Sequence, residues 1–525
     1  MTQDLPQPPL HATPPGRLFW LTLLALVWAL YGLTGRDSWQ ADEALTLGEA
    51  LGWLHMDATP LQAPLYAWLA GLAIDLLAGV LDPQAAARLP SALFALVGLL
   101  CTGLAARRLY GPGYGLLAVL LLMGAFGLIL RVHALLPETA LLAGQALLLY
   151  GLAASRERAR HAWALVAAAM LLLLTRGLAD LTAALLLAAL TPWLPGFATH
   201  GLRRALMVAG LLTLVLTVAW LSHLAAQGLA SDWWALQLDR LADARTPQRL
   251  LATLAWFAWP AWPLALWALW HEHRRLARAH PLHLPLLATA VGLPLGLVPA
   301  YTHDGMAIPL LVPLTLLATF GIATLRRGAA QAFYWFGVCC FAFFTLAFWL
   351  HYSALEWGWP QVLSAHLHRM TPGYAAPLVE ADAVALALAA TVLWFVAVPL
   401  FPRAQARPAL VWATGMTLAW VLLMTLLRPW AELSWGYRPV IMALARQLPP
   451  RACVTIEAPA AARVMLAYHL ADRLPRAGER CDWRVEVVRR EAAPRADAQL
   501  VWEGRRPREK REWYRLYRLH AYDAP

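Results

Sequence analysis

The chain has 525 residues, of which 60% are hydrophobic and 14% charged, with a formal net charge of +11. Soluble globular domains carry roughly 25% charged residues, so the composition excludes an ordinary soluble domain and points to a chain that meets lipid along much of its length. The positive balance does not indicate a nucleic-acid binder, because the arginines gather in short connections and in the tail.

The stretch from Met1 to Gly16 is polar and Pro-rich without the pattern of a cleavable signal, so the first apolar run is expected as a retained helix. Apolar runs follow at about 17–35, 88–107, 113–130, 138–154, 161–175, 178–194, 204–223, 251–270, 282–300, 307–325, 332–350, 383–401 and 408–427. Hydrocarbon offers no partner to exposed backbone amides, so these runs predict helices, about thirteen in all. Arg17 precedes the first run, and alternate connections carry Arg107-Arg108, Arg156/Arg158/Arg160, Arg203-Arg204, Arg274-Arg275/Arg278, Arg326-Arg327 and Arg403/Arg407. The positive-inside rule puts these on the cytoplasmic side, with the N-terminus inside and, for an odd count, the C-terminus outside.

The segment 64–82 is apolar, but counting it as a span would put the arginine connections on the wrong sides. With Tyr66, Trp68 and Asp75 it reads as an amphipathic helix in the outer interface, inside a long external loop over 36–87. Other long external stretches are 224–250, 351–382 and everything after 428. The tail holds 19 basic and 12 acidic residues, a balance of +7, which long translocated domains tolerate. It alternates a helix-like piece (Tyr437 to Leu448) with β-like runs at Cys453–Glu457, Trp483–Val488, Leu500–Trp502 and Trp513–Leu519. Five cysteines are too few for a disulfide scaffold, and Cys101, Cys339 and Cys340 lie in apolar runs. Cys453 and Cys481 can pair if the tail lies in an oxidising compartment.

Chemistry is expected where ionisable groups meet the outer membrane boundary. Asp42-Glu43 follows the first span; alone, such a pair is more often a solvated helix cap than a catalyst. Glu138 returns to the same face at the end of Arg131-Val132-His133-Ala134-Leu135-Leu136-Pro137, and Arg131 is its bland structural partner. Arg176, in a tight turn between two runs, and His303 of Tyr301-Thr302-His303-Asp304-Gly305 can each hold a phosphate; an interfacial Arg more often snorkels. Two external acids beside external basic groups suggest acid–base work next to a charged lipid head group. His133, His303 and the acids leave a divalent metal open, without tight ligand spacing.

The ordered set Asp42-Glu43, Pro64-Leu65-Tyr66-Ala67-Trp68-Leu69, Ala87-Arg88-Leu89-Pro90-Ser91-Ala92-Leu93, Arg107-Arg108-Leu109-Tyr110-Gly111, Glu138-Thr139-Ala140-Leu141-Leu142, Thr175-Arg176-Gly177 and His303-Asp304 with Pro309 and Pro313 resembles glycosyltransferase family 39. That family is similar to protein O-mannosyltransferases and to bacterial aminoarabinose transferases acting on lipid A, and the likeness is collinear over most of residues 17–325.

The resemblance implies an all-α polytopic membrane protein of the GT-C type, a polyprenyl-phosphate-linked sugar donor, and a lipid, glycan or protein acceptor. It implies an inverting displacement with Asp42 as base, Glu43 beside it and Glu138 as second acid. Substrate contacts are then expected from Tyr66, Arg131, His133, Arg176, His303 and Asp304. Gln62-Ala63-Pro64-Leu65 stands where the family often has Lys-Pro-Pro-Leu, and Lys510 is the chain's lone lysine. Phosphate neutralisation is therefore expected from Arg131, Arg176 or His303. The expected organisation is a cytoplasmic segment at 1–16, a GT-C domain with about thirteen spans and interfacial helices over 17–427, and a small α/β periplasmic domain over 428–525, in a bacterial inner membrane. A polyprenol-linked transporter or flippase would share the helices and charged cavity, although no internal repeat favours it. A non-catalytic binder of lipid-linked sugar remains open on the missing lysine.

Overall fold

The structure, a computed structural model, describes residues 15–53, 61–242, 245–276, 280–298, 304–375, 379–476, 479–489, 493–495 and 497–519. The helices of the first half are α1 (Pro15–Leu30), α2 (Ala41–Ala50), α3 (Pro64–Leu76), α4 (Pro83–Tyr110), α5 (Tyr114–Met123), α6 (Phe126–Val132), α7 (Glu138–Ser155), α8 (Ala162–Thr175), α9 (Leu178–Leu190), α10 (His200–Ala226) and α11 (Ala230–Ala242). The second half adds α12 (Pro247–Phe257), α13 (Ala261–Glu272), α14 (His280–Leu295), α15 (Ile308–Ala323), α16 (Arg327–Glu356), α17 (Gln361–Met370), α18 (Ala381–Leu400), α19 (Arg407–Leu426), α20 (Arg428–Trp435), α21 (Arg438–Ala445) and α22 (Ala460–His469). The strands β1 (Val454–Glu457), β2 (Trp483–Arg489), β3 (Ala498–Gly504) and β4 (Glu512–Leu519) close the chain.

The chain is a multi-pass membrane protein, and burial sorts its helices into an inner and an outer set. Every residue of α7 is buried, between α4 and α8, and the apolar window ending in α15 is 94% buried. The matching windows of α10, α16 and α18 are only 22%, 22% and 17% buried, so these helices present their apolar side chains to lipid. Six described helices are long and apolar enough to cross a membrane, or eight if two bent pairs count as one span each. About thirteen were expected; the difference lies in apolar helices such as α8 and α9, which are shorter than 18 residues.

Two runs expected as continuous helices, 113–130 and 251–270, are broken. The axes of α5 and α6 meet at 75°, and those of α12 and α13 at 99°. The first break falls at Gly124, whose carbonyl accepts a hydrogen bond from Trp412 Nε1 at 2.8 Å. The second falls before Pro260, which cannot donate to a helical ladder. Phe126 N donates to Trp259 O at 3.0 Å, so each break satisfies backbone groups freed at the other.

The segment between α1 and α4 and the C-terminal unit pack together at one end of the helices. Asp82 caps α4 by accepting from Gln84 N (3.1 Å) and Ala85 N (3.4 Å), with Pro83 in the first turn. The C-terminal sheet has the order β1-β2-β4-β3, with β1 and β2 parallel and the other pairs antiparallel. A parallel pair needs a crossover, which α22 supplies. The expected β-like runs are all strands; α22 was not anticipated. Cys453 and Cys481 are joined in a disulfide just ahead of β1 and β2. α22 packs against α2, so the sheet domain reaches the loop that carries the acidic pair.

Candidate active site

α2 begins after Gln40 and places Asp42 and Glu43 in its first turn, where carboxylates complement the positive end of the helix dipole. At 3.6 residues per turn, adjacent residues project about 100° apart. Glu43 turns inward and is 1% exposed. Its Oε1 accepts from Arg36 Nη2 (2.7 Å) and Leu135 N (3.0 Å), and its Oε2 from Arg36 Nη1 (3.3 Å) and Trp39 N (2.9 Å). Arg88 Nε lies 3.8 Å away. Burial opposes ionisation of Glu43, but the Arg36 and Arg88 charges and the hydrogen bonds outweigh it and bring the carboxyl down to about 2. Glu43 thus fastens the loop before α2, α4 and the turn after α6 into one frame.

Asp42 is half-buried, and its carbonyl accepts from Thr46 Oγ1 at 2.9 Å. Glu49 stands seven residues on, about 20° around the helix from Asp42 and so on the same face. Burial raises the Glu49 carboxyl to about 7, against the opposing charge of Arg240 on α11. Arg240 Nη2 donates to Gln62 O at 3.3 Å, and its Nη1 donates to Arg176 O. One guanidinium therefore joins the segment where the resemblance misses a lysine, the turn after α8 and the neighbourhood of Glu49. Arg240 escaped sequence reading, because an Arg near the end of an amphipathic helix looks like any solvated cation. The signal that could have found it was the lack of any other cation near Gln62.

The remaining expected residues fall into three groups. Arg131 and Glu138 are both buried and face each other, Nε to Oε2, at 3.5 Å. Arg176 is 1% exposed and forms an ion pair with Asp180, one turn along, at the start of α9. Its turn is held by Gly177 at φ +99°, where a Cβ would run into Gln237, whose Oε1 accepts from Leu178 N at 3.1 Å. Tyr66 and His133 are buried parts of the frame. Tyr66 OH donates to Ser91 Oγ (2.6 Å), which donates to Ala134 O (2.7 Å). His133 Nδ1 donates to Ile129 O (2.8 Å), its ring stacks on Trp420 with centroids 4.1 Å apart, and its carbonyl accepts from Arg36 Nη2.

His303 lies outside the described residues; Asp304 begins a short 3-10 turn, Asp304–Ala307, that leads into α15. Among the described residues, no three His, Cys, Asp or Glu side chains are grouped to hold a metal ion.

Sequence reasoning also missed Asp37, Glu432 and His469. Asp37 Oδ1 accepts from Gln84 Nε2 (2.7 Å) and His469 Nε2 (3.2 Å), and its Oδ2 accepts from Arg438 N (2.6 Å). Burial works against the charge on Asp37, yet His469, Gln84 and Arg438 N together hold its carboxyl below the usual range. Glu432 Oε1 accepts from Asp37 N (3.0 Å) and Trp39 Nε1 (2.8 Å), and burial raises its carboxyl.

No protein-family model and no curated protein matches this sequence. The structure is similar to the crystal structure of ArnT from Cupriavidus metallidurans bound to undecaprenyl phosphate, with a TM-score of 0.68 and 16% identity over 96% of this chain and 98% of that one. It is similar to the apo state of the same protein, with a TM-score of 0.65 and 17% identity over 95% and 98% of the two chains. The likeness covers nearly the whole of both chains, and the chain has the GT-C fold.

Proposed function

We propose that the protein is a membrane glycosyltransferase that moves a sugar from a polyprenyl-phosphate donor to a hydroxyl of a lipid, glycan or protein acceptor on the outer face of a bacterial inner membrane. Asp42 takes the hydroxyl proton as that oxygen attacks the anomeric carbon from the side opposite the phosphate. The bond from the anomeric carbon to the phosphate oxygen breaks, the electron pair leaves with the lipid phosphate, and the sugar is transferred with inversion. General-base assistance of this kind is worth roughly 10²- to 10⁴-fold.

The observation that carries this reading is Arg240. Its guanidinium is bonded to the Gln62 backbone, and its charge acts on Glu49, which shares a face of α2 with Asp42. A planar guanidinium suits phosphate oxygens, and here it takes the place of the missing lysine. Arg131 and Arg176, the cations first expected to serve, each face a buried carboxylate. In this reading Glu43 positions α2 through its buried ion pairs, and Glu138 with Arg131 shapes the wall behind it.

The outer placement is supported by the alternating arginine connections. The Cys453–Cys481 disulfide fits an oxidising compartment for the unit that begins at about residue 428. A reporter fused after the sheet domain should be active only outside. The two broken helix pairs favour a second reading, a polyprenol transporter.

Purified protein in nanodiscs with a panel of polyprenyl-phosphate sugars separates the two readings. Release of lipid phosphate that needs Asp42 supports transfer. Movement of the intact donor across sealed vesicles by the Asp42→Asn protein, with no release by the native one, supports transport.

A further inference from the structure

We infer that the C-terminal unit is part of the active-site frame, and that Asp37 is the positioning residue through which α20, α21 and α22 set α2 and with it Asp42. The inference rests on the transferase reading for its consequence but not for its geometry.

Asp37 lies five residues before Asp42, in a short irregular segment that feeds directly into α2. Its side chain is 2% exposed and carries hydrogen bonds from three distant segments: Gln84 on α4 (2.7 Å), the backbone N of Arg438 at the start of α21 (2.6 Å) and His469 at the end of α22 (3.2 Å). The same stretch donates Asp37 N and Trp39 Nε1 to Glu432 of α20, at 3.0 and 2.8 Å. Arg88 Nη2 donates to Asp37 O at 3.1 Å, which ties the contact back to the Glu43 frame. Tyr468 OH donates to Asp82, the N-cap of α4, at 2.7 Å. α2 packs on α22 itself.

The loop preceding the candidate base is therefore fixed on one side by the membrane domain and on the other by the sheet domain. A carboxylate suits this post, because it accepts from a backbone amide, a carboxamide and an imidazole at once. An amide in its place offers one acceptor oxygen and brings two donors into a set already made of donors. The outer domain then acts by holding the base, and a loosened contact moves Asp42 without touching substrate. A misplacement of about 1 Å costs on the order of 100-fold in rate.

The test uses the full chain in nanodiscs and three variants: Asp37→Asn, His469→Ala, and Arg495→Ala as a control in the same unit, where Arg495 pairs with Asp497 at the surface. Amide hydrogen exchange is read over residues 41–50, and kcat and KM for the lipid donor are read separately. Asp37→Asn is expected to raise exchange in α2 and to lower kcat about 100-fold with donor KM within about threefold. His469→Ala, which removes one donor and leaves the carboxylate, is expected to give the same pattern with about a tenfold loss. The control should match the native protein in both readouts.

Native exchange over 41–50 in a folded Asp37→Asn protein overturns the inference, as does a loss confined to donor KM. If Asp37→Asn does not fold, His469→Ala decides by the same readouts. Exchange needs no turnover, so absence of transfer by the native chain would defeat the proposed function while the exchange data still judge this inference.

Discussion

The two sides of α2 treat the same functional group in opposite ways. On the inner side Glu43 meets two arginines and two backbone amides, and its carboxyl is brought down to about 2. On the side shared by Asp42 and Glu49, burial raises the Glu49 carboxyl to about 7 despite Arg240. A saturated ion pair leaves nothing for a ligand to gain, whereas a carboxyl held near neutrality beside a cation responds to what binds there. The adjacent acids read as one pair in the sequence are thus set in different surroundings by about 100° of helix rotation.

The largest break in this contrast should come from Asp42→Asn, which is expected to lower kcat by about 10²- to 10⁴-fold with little change in thermal stability, measured as lipid-phosphate release. An unchanged rate would remove Asp42 from the chemistry. Glu43→Gln should do the reverse and act mainly on folding. It leaves Arg36 and Arg88 buried without their counter-charge, a loss of about 3–5 kcal/mol that shows in the melting temperature. Acid should release the same clamp. Glu43 contributes stability above its unfolded value of 4.5, and that contribution is lost as the pH falls through about 2.

Arg240→Ala is expected to raise donor KM about 10- to 100-fold, the worth of a charged hydrogen bond of about 1.5–3 kcal/mol. Adding Gln62→Lys to that variant should recover part of the affinity; no recovery would separate the two positions. The smallest effect is the pH dependence of donor binding. Ionised Glu49 adds negative charge beside the phosphate site, so donor KM should rise several-fold as the pH passes about 7, and Glu49→Gln should flatten the profile. The sign for folding is the same: the native chain keeps this proton between 4.5 and about 7 where the unfolded chain has lost it, so stability declines across that window.

The architecture was legible because lipid imposes a length and a polarity that apolar runs display directly. The breaks were not, since Gly124 and Pro260 lie inside such runs, and the indole that donates to the Gly124 carbonyl is 288 residues away. The acidic pair was legible as a boundary feature, but not the rotation that separates its members. Arg240 was hidden by distance, 178 residues from the carbonyl it grips. Asp37 was hidden for a different reason: a polar residue in a loop carries no mark of burial until the C-terminal unit is laid over it.

The crossed breaks have a consequence for how such a chain can vary. Phe126 N bonds to Trp259 O, and Gly127 lies so close to Phe257 that an added Cβ would approach a ring carbon to 2.0 Å. Neither bent span can be straightened, shortened or re-registered by itself, because the other would be left with open backbone groups in hydrocarbon. The two bent spans are therefore expected to vary as a unit, with tolerated changes at 124–127 matched by changes at 256–260.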